Sequence, residues 1–268
     1  MATSPNEAPL AGRRILVSRP EPKAADTCRD LERAGASTQA LPLIGIRPRT
    51  LDGRERSLIQ ELDNYGKIIA VSPNAARLLL ENADEWWPQW PVGLEWWGPG
   101  EGTAQVFREA GLPGQAPPHG HDSEALLDCA AFRADQVAGE KVLIARGERG
   151  RELLQSTLTE RGARIEILAL YSREPLDWPE ATVRQALAGF DPDTVLALSG
   201  ETLKHLLEVG QNTDPKLRER CLVVPTERVA RQARDAGFCD VRVAPAMSPD
   251  GLIDACRASP STRSNGHS

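Results

Sequence analysis

The sequence predicts an α/β protein made of two doubly wound parallel-sheet domains of Rossmann- or flavodoxin-like type. Three observations predict it. Short β-branched apolar runs alternate with stretches whose apolar residues recur at three- and four-residue spacing. The chain also matches itself at an offset of 127 residues, and Ser, Arg, Pro or Gly follows nearly every apolar run. Strands that are apolar along their whole length are buried on both faces, as in parallel sheets covered by helices.

The elements follow in order. Ile15-Leu-Val17 is the first strand, closed by Ser18-Arg19-Pro20; a helix runs through Leu31-Glu-Arg-Ala34 and stops at Gly35. Beyond Leu41 and Pro48, Ile68-Ile-Ala-Val71 is the next strand. Ser72-Pro73-Asn74 then opens a helix with Ala76, Leu79 and Leu80 on its apolar face. Trp96-Trp97 forms a strand, Gly98 to Thr103 a glycine-rich turn, and the following helix ends near Arg108-Glu-Ala-Gly111. Asp122-Ser123 starts a helix through Leu126.

Val142-Leu-Ile-Ala145 restarts the pattern. It is followed by Arg146-Gly147-Glu148, a helix ending in Leu158-Thr-Glu-Arg-Gly162, then Leu168 and Pro175. Val142 stands 127 residues after Ile15, and Pro175 stands 127 after Pro48. Val195-Leu-Ala-Leu198, Ser199-Gly200 and the face Leu203, Leu206, Leu207 match the Ile68 unit at the same offset. Two looser matches close the chain. Arg234-Asp-Ala-Gly237 answers Arg108-Glu-Ala-Gly111, and Pro249-Asp-Gly-Leu252 answers Ser123-Glu-Ala-Leu126.

Composition narrows the function. With 40% hydrophobic and 26% charged residues the 268-residue chain reads as a globular protein of about two domains. Its net charge of −6 argues against a nucleic-acid partner. The polar start, Met1 to Leu10, has no secretory pattern, and no run of about 18 apolar residues would span a membrane. A cytoplasmic protein is expected, with Cys28, Cys129, Cys221, Cys239 and Cys256 as free thiols. No nucleotide fingerprint, nucleophile elbow or zinc helix occurs, so no metal or cofactor is expected. His119-Gly-His121-Asp122 reads as a mobile loop rather than a metal site, for want of a partner ligand. Five of the six tryptophans lie between Trp86 and Trp97 in an acidic stretch, and are expected to close the back of a domain.

Doubly wound sheets hold ligands at the carboxyl ends of their strands. The candidate binding residues are therefore those at the turns: Arg19, Ser72, Asn74, Gly102, Thr103, Asp122, Ser123, Arg146, Gly147, Ser199, Gly200, Thr226 and Ser248. Taken singly, such residues are helix caps. Taken together, a ring of helix starts with free N–H groups and hydroxyls is a surface for carboxylates or phosphates. Arg19 and Arg146 add positive charge suited to carboxylates, whereas Arg149 and Arg151 are equally well solvated helix-start residues.

Several of these motifs resemble the uroporphyrinogen-III synthase family. They are Ile15-Leu-Val-Ser-Arg-Pro20, Ser72-Pro-Asn-Ala75, Gly102-Thr103-Ala104, Asp122-Ser-Glu-Ala-Leu126, Leu168-Ala-Leu-Tyr171, Leu198-Ser199-Gly200 and Val224-Pro-Thr226, spread over residues 13 to 256. The repeat alone would cut the chain near Gly139. The resemblance implies instead a discontinuous first domain (1–41 plus 175–268), a second domain (48–168), and a two-stranded antiparallel linker (41–48 and 168–175). Residues 258–268 are expected to be a disordered tail.

The resemblance also implies a reaction. Hydroxymethylbilane, a linear tetrapyrrole with eight carboxylates, closes to uroporphyrinogen III with loss of water and inversion of the last ring, without metal or cofactor. Helix starts at Ser72, Thr103, Ser123, Ser199, Thr226 and Ser248, with Arg19 and Arg146, would hold the carboxylates. Tyr171 matches a family tyrosine facing the cleft and would give a proton to the departing hydroxyl; filling the linker is the equal alternative. The implied protein is a monomer in transient contact with the preceding pathway enzyme. A periplasmic-type binding protein and a regulatory tetrapyrrole-binding module remain alternatives.

Overall fold

The computed structural model describes residues 8–150, 152–211 and 213–257. The tail 258–268 and Arg151 lie outside the described residues. The chain begins with β1 (Arg14–Val17), α1 (Lys23–Arg33), β2 (Ser37–Ala40) and β3 (Ile44–Pro48). Next come α2 (Gly53–Gln60), β4 (Lys67–Ala70), α3 (Pro73–Ala83), β5 (Glu95–Trp97), α4 (Glu101–Glu109) and β6 (Gly114–Gln115). They are followed by α5 (Ser123–Asp128), α6 (Ala134–Val137), β7 (Lys141–Gly147), α7 (Leu153–Glu160) and β8 (Arg164–Pro175). The chain closes with α8 (Glu180–Arg184), β9 (Thr194–Leu196), α9 (Gly200–Gly210), β10 (Cys221–Val224), α10 (Glu227–Asp235), β11 (Asp240–Val243) and α11 (Pro249–Cys256).

Two compact units result: Met1–Ile46 with Glu174–Ser268, and Arg47–Arg173. In the first, the sheet order is β2-β1-β9-β10-β11, with every pair parallel. The pleat sends alternate residues of each strand to opposite faces. Leu16, Val195, Leu222 and Val224 pack with Leu203 and Leu206 of α9 and Val229 and Ala233 of α10. Ile15, Val17, Leu196 and Val223 pack on the other side with Leu31 of α1 and Leu252 of α11. Each fully buried aliphatic side chain stabilises the fold by about 1.5–3 kcal/mol. That double cover is why these strands read as unbroken apolar runs.

The second sheet has the order β3-β8-β7-β4-β5-β6, parallel from β8 to β6. Ile69, Val142 and Ile144 face Leu126, Phe132, Leu154 and Leu158. Leu176 N bonds to Leu43 O at 3.0 Å and Arg49 N to Leu170 O at 2.9 Å. Partner numbers fall as the chain advances, so β3 runs antiparallel to β8. By the 127-residue equivalence β7, β8 and β4 correspond to β1, β2 and β9. Both parallel sheets therefore share one strand order, but each joins the opening βαβ segment of one repeat to the later strands of the other.

Local chemistry repeats with the topology. Gly35 and Gly162 end α1 and α7 with φ of 97° and 90°, a region that Gly enters without steric cost. Ala36 N reaches back to Leu31 O and Ala163 N to Leu158 O, so both helix ends close in the same way. In the first unit Arg220 is clamped. Its guanidinium donates to Asp214 at 2.7 Å, Asp191 at 3.0 Å and Leu187 O at 2.9 Å. Asp214 is 4% exposed and Arg220 8%.

Trp96 and Trp97 lie on β5 and are buried. Trp90 packs edge-on against Trp96, and Trp87 bonds to Ile59 O at 2.7 Å. Trp86 departs from the expected role, because it is 46% exposed. Among the described residues no helix is long and apolar enough to cross a membrane, and no group of three or more His, Cys, Asp or Glu could hold a metal ion.

Candidate active site

At the carboxyl end of β4, Ser72 has an extended backbone and caps α3, accepting from Ala75 N at 3.2 Å, with Pro73 at the first helical position. Its hydroxyl also lies 3.2 Å from that of Tyr171 on β8. A serine oxygen can accept one hydrogen bond while its O–H donates another. Here it accepts from Ala75 and can donate to Tyr171, which leaves the phenol proton available for a third group. Tyr171 is 3% exposed, and its ring lies over Gly147 at the end of β7. Glu148 N bonds to Tyr171 O at 2.8 Å, securing the two strand ends to each other.

The other candidates of this unit are placed less uniformly. Asn74 is half-buried in the first turn of α3 and accepts from Arg77 Nη1 at 3.2 Å. Gly102 is exposed in the first turn of α4, whose cap is Gly100. Thr103 is not at a helix start. It is the third residue of α4, 4% exposed, and its side chain fills the space above Gly98, where a β-carbon would stand 2.5 Å from Thr103 Cβ. The glycine-rich turn lets the helix begin earlier than the hydroxyl suggested. Ser123 is the first residue of α5, and Asp122 before it is the cap, accepting from Ala125 N at 2.9 Å. Arg146 is half-buried on β7 and Arg149 exposed beyond it. His119 and His121 are exposed in the loop after β6.

In the first unit, Ser199 caps α9 and accepts from Thr202 N at 3.0 Å, with Gly200 as the first helical residue. Thr226 stands at the cap position of α10 without a side-chain cap bond and is exposed. Ser248 caps α11 through Gly251 N at 3.3 Å. Arg19, in the turn after β1, is half-buried and donates to Thr27 of α1 at 3.0 Å. Burial lowers its pKa, and Asp26 opposes that shift. It lines a small hollow of about 210 Å³ between α1 and α11 with Lys23, Thr27 and Met247. Ser18 is fully buried, and its hydroxyl is committed to Leu196 O.

A larger groove, about 670 Å³, opens between α9 and α10. It is lined by Ser199, Gly200, Glu201, Leu203, Lys204, Leu207, Arg228 and Gln232. One helix start, the cations of Lys204 and Arg228 and the carboxylate of Glu201 border an apolar floor of Leu203 and Leu207, and the excess of positive charge suits carboxylates carried on a hydrocarbon body. Lys204 and Arg228 were not among the candidates, because both lie inside helices and not at turns. A helical projection would have found them, since Lys204 is one turn beyond Gly200 and Arg228 two residues beyond Thr226.

Comparison with known proteins bears on the family and on the fold class. A uroporphyrinogen-III synthase HemD family model matches residues 25–254. A uroporphyrinogen-III synthase of Salmonella typhimurium is 31% identical over 253 residues, covering 90% of this chain and 98% of the relative. One from Escherichia coli is 29% identical over 249 residues, covering 90% and 98%. Among solved structures, the uroporphyrinogen-III synthetase of Helicobacter pylori covers 90% of this chain and 97% of its own at a TM-score of 0.58 and 13% identity. A uroporphyrinogen III synthase of Thermus thermophilus covers 90% and 96% at 0.54 and 16%. At those identities the structures speak for the α/β fold with parallel sheets. The length of the family match and the identity to the Salmonella relative go further, and the chain belongs to the uroporphyrinogen-III synthase family.

Proposed function

We propose that this protein closes hydroxymethylbilane to uroporphyrinogen III, losing one water and inverting the last pyrrole ring. Family membership carries the reaction, and the observation that carries the residue assignment is the Ser72–Tyr171 hydroxyl pair. Tyr171 donates its proton to the departing hydroxyl, which leaves as water and creates an electron-poor azafulvene. The proton lost when the reacting pyrrole regains aromaticity returns to Tyr171, so the residue ends as it began. Ser72 donates to the phenol oxygen and steadies the phenolate while it exists.

Carboxylates of the bilane are held by helix starts: Ser199, Gly200 and Thr226 form one set, and Asn74, Gly102 and Asp122-Ser123 another. Lys204 and Arg228 add charge beside the first set. Many weak anchors suit a reaction whose uncatalysed course gives the wrong isomer, because the task is to orient the last ring before closure. Supporting a two-stranded linker, the chain passes between its units at Ile46/Arg47 and Arg173/Glu174, inside β3 and β8. The same reading makes the protein a cytoplasmic monomer that meets the enzyme supplying its substrate only transiently; sedimentation at micromolar concentration tests the first point.

The deciding assay supplies hydroxymethylbilane, stops the reaction within seconds, oxidises the products and resolves the porphyrin isomers. Isomer III in excess is expected. Isomer I alone, as in the absence of protein, would reject the reading, and saturable binding without conversion would assign a regulatory module instead.

A further inference from the structure

The Tyr171–Ser72 contact crosses an intervening strand. The sheet order is β8-β7-β4, so Tyr171 and Ser72 stand on either side of β7. Two strand spacings amount to about 10 Å, which a tyrosine spans only by lying flat over the strand between. The residue beneath that path is Gly147. Continuing the β7–β4 register, in which Ala70 pairs with Ala145, brings Ser72 opposite Gly147. On the other side, Tyr171 itself pairs with Gly147.

That second pairing depends on an irregularity. From Lys141↔Arg164 to Arg146↔Ala169 the register is even, and its continuation would set Leu170 against Gly147. A bulge skips Leu170 and places Tyr171 there instead. Side chains alternate between faces along a strand, so the skipped residue turns Tyr171 onto the face it would otherwise avoid. A β-carbon on Gly147 would stand 2.7 Å from Tyr171 Cε2, 3.0 Å from Cζ and 3.3 Å from Cδ2. The three atoms nearest that position all belong to the tyrosine ring.

We infer that Gly147 is a positioning residue for Tyr171: its bare backbone is the bed across which the phenol reaches Ser72, and any side chain there displaces the hydroxyl. The inference rests on the reading that the Tyr171 hydroxyl takes part in the reaction. A strand-end glycine with no such role would be conformational, yet Gly147 lies outside the positive-φ glycines, so its backbone does not require Gly. What requires Gly is the ring above it.

The test is a double-mutant cycle with a structural readout. Gly147→Ala is expected to lower kcat on hydroxymethylbilane by about 10-fold or more with KM within about twofold, since small displacements of an acid weaken transition-state contacts more than binding. In a Tyr171→Phe background the same change should alter kcat by less than about twofold, because no hydroxyl is left to misplace. The chain has two tyrosines, Tyr65 and Tyr171, so fluorotyrosine labelling gives two 19F resonances. Gly147→Ala should shift that of Tyr171 and leave that of Tyr65 in place.

Wild-type turnover by Gly147→Ala, or equal losses in both backgrounds, overturns the positioning role while leaving the Tyr171 reading intact. Wild-type turnover by Tyr171→Phe overturns both. If Gly147→Ala does not fold, pairing it with Tyr171→Ala should restore folding, since the ring is the obstacle. Failure of that pair to fold overturns the inference.

Discussion

The hydroxyl of Tyr171 lies 3.2 Å from that of Ser72, although the residues stand 99 positions apart in the chain. Ser72 also caps α3, so one side chain joins helix stability to the placement of the proposed acid. Ser72→Ala should lower stability by about 0.5–2 kcal/mol, the usual value of an N-cap. It should also slow ring closure, and Ser72→Thr should recover both properties. Thermal melts paired with single-turnover isomer analysis check this; a lower melting temperature with unchanged turnover would leave Ser72 as a cap alone.

Tyr171→Phe should reduce kcat by up to about 10²-fold, within the usual range of a general acid, and the product should remain isomer III. Orientation of the ring is divided among many anchors, so the isomer ratio should survive the loss of the acid. Complete loss of activity in a folded variant would contradict that division of labour.

Lys204→Gln and Arg228→Gln should each raise KM for the bilane, by about 2- to 5-fold, with little change in kcat. The cations border a groove and touch no reacting group in this proposal. Because exposed charges are screened, the effect should shrink on raising salt from 50 to 500 mM, to about half or less. Steady-state kinetics at the two salt concentrations would decide it; an unchanged KM would remove the groove from the binding surface.

Asp214→Ala should cost about 3–5 kcal/mol of stability, because it leaves the buried Arg220 guanidinium short of its best-buried carboxylate. Urea denaturation should show a lower midpoint at unchanged slope. A shift worth less than about 1 kcal/mol would mean that Asp191 and the carbonyls of Leu187 and Pro192 suffice.

Lys67 is buried at the start of β4 between Glu95, at 3.2 Å, and Glu140, at 2.9 Å. Burial is the largest single influence and would lower its pKa, but the hydrogen bonds to Glu140 and Glu95 and the attraction of their charges together raise it. A cation whose folded pKa exceeds the unfolded value stabilises fully below the unfolded pKa, near 10.4, and loses that contribution as pH rises through the folded value. The melting temperature should therefore fall above about pH 10.4, and less steeply in Lys67→Met. Parallel alkaline slopes in the two proteins would show that Lys67 does not supply the effect.

Much of the site was legible as local chemistry. Ser72, Ser199 and Ser248 are caps because a short hydroxyl before Pro or Gly suits an extended residue whose oxygen accepts from the first turn. Thr103 misled for the same reason, whereas Ser123 stands at the helix start directly after its cap. Neighbouring Gly100 and Asp122 suit the cap position as well, and packing chose them. Lys204 and Arg228 escaped notice because a groove between helices is a property of two surfaces.

By itself the sequence determined the central strands, the helices that follow them and the caps Ser72, Ser199 and Ser248, and through its 127-residue repeat it determined that one unit occurs twice. Equivalent segments of two repeats are locally interchangeable, so nothing in the repeat's pattern selects which opening βαβ segment pairs with which later strands. The tertiary structure decided that, and it decided the site as well. Tyr171 reaches Ser72 because a skipped residue at Leu170 turns it and a glycine on the strand between leaves room. Hydrogen-bond register and the absence of a side chain act only between strands already side by side.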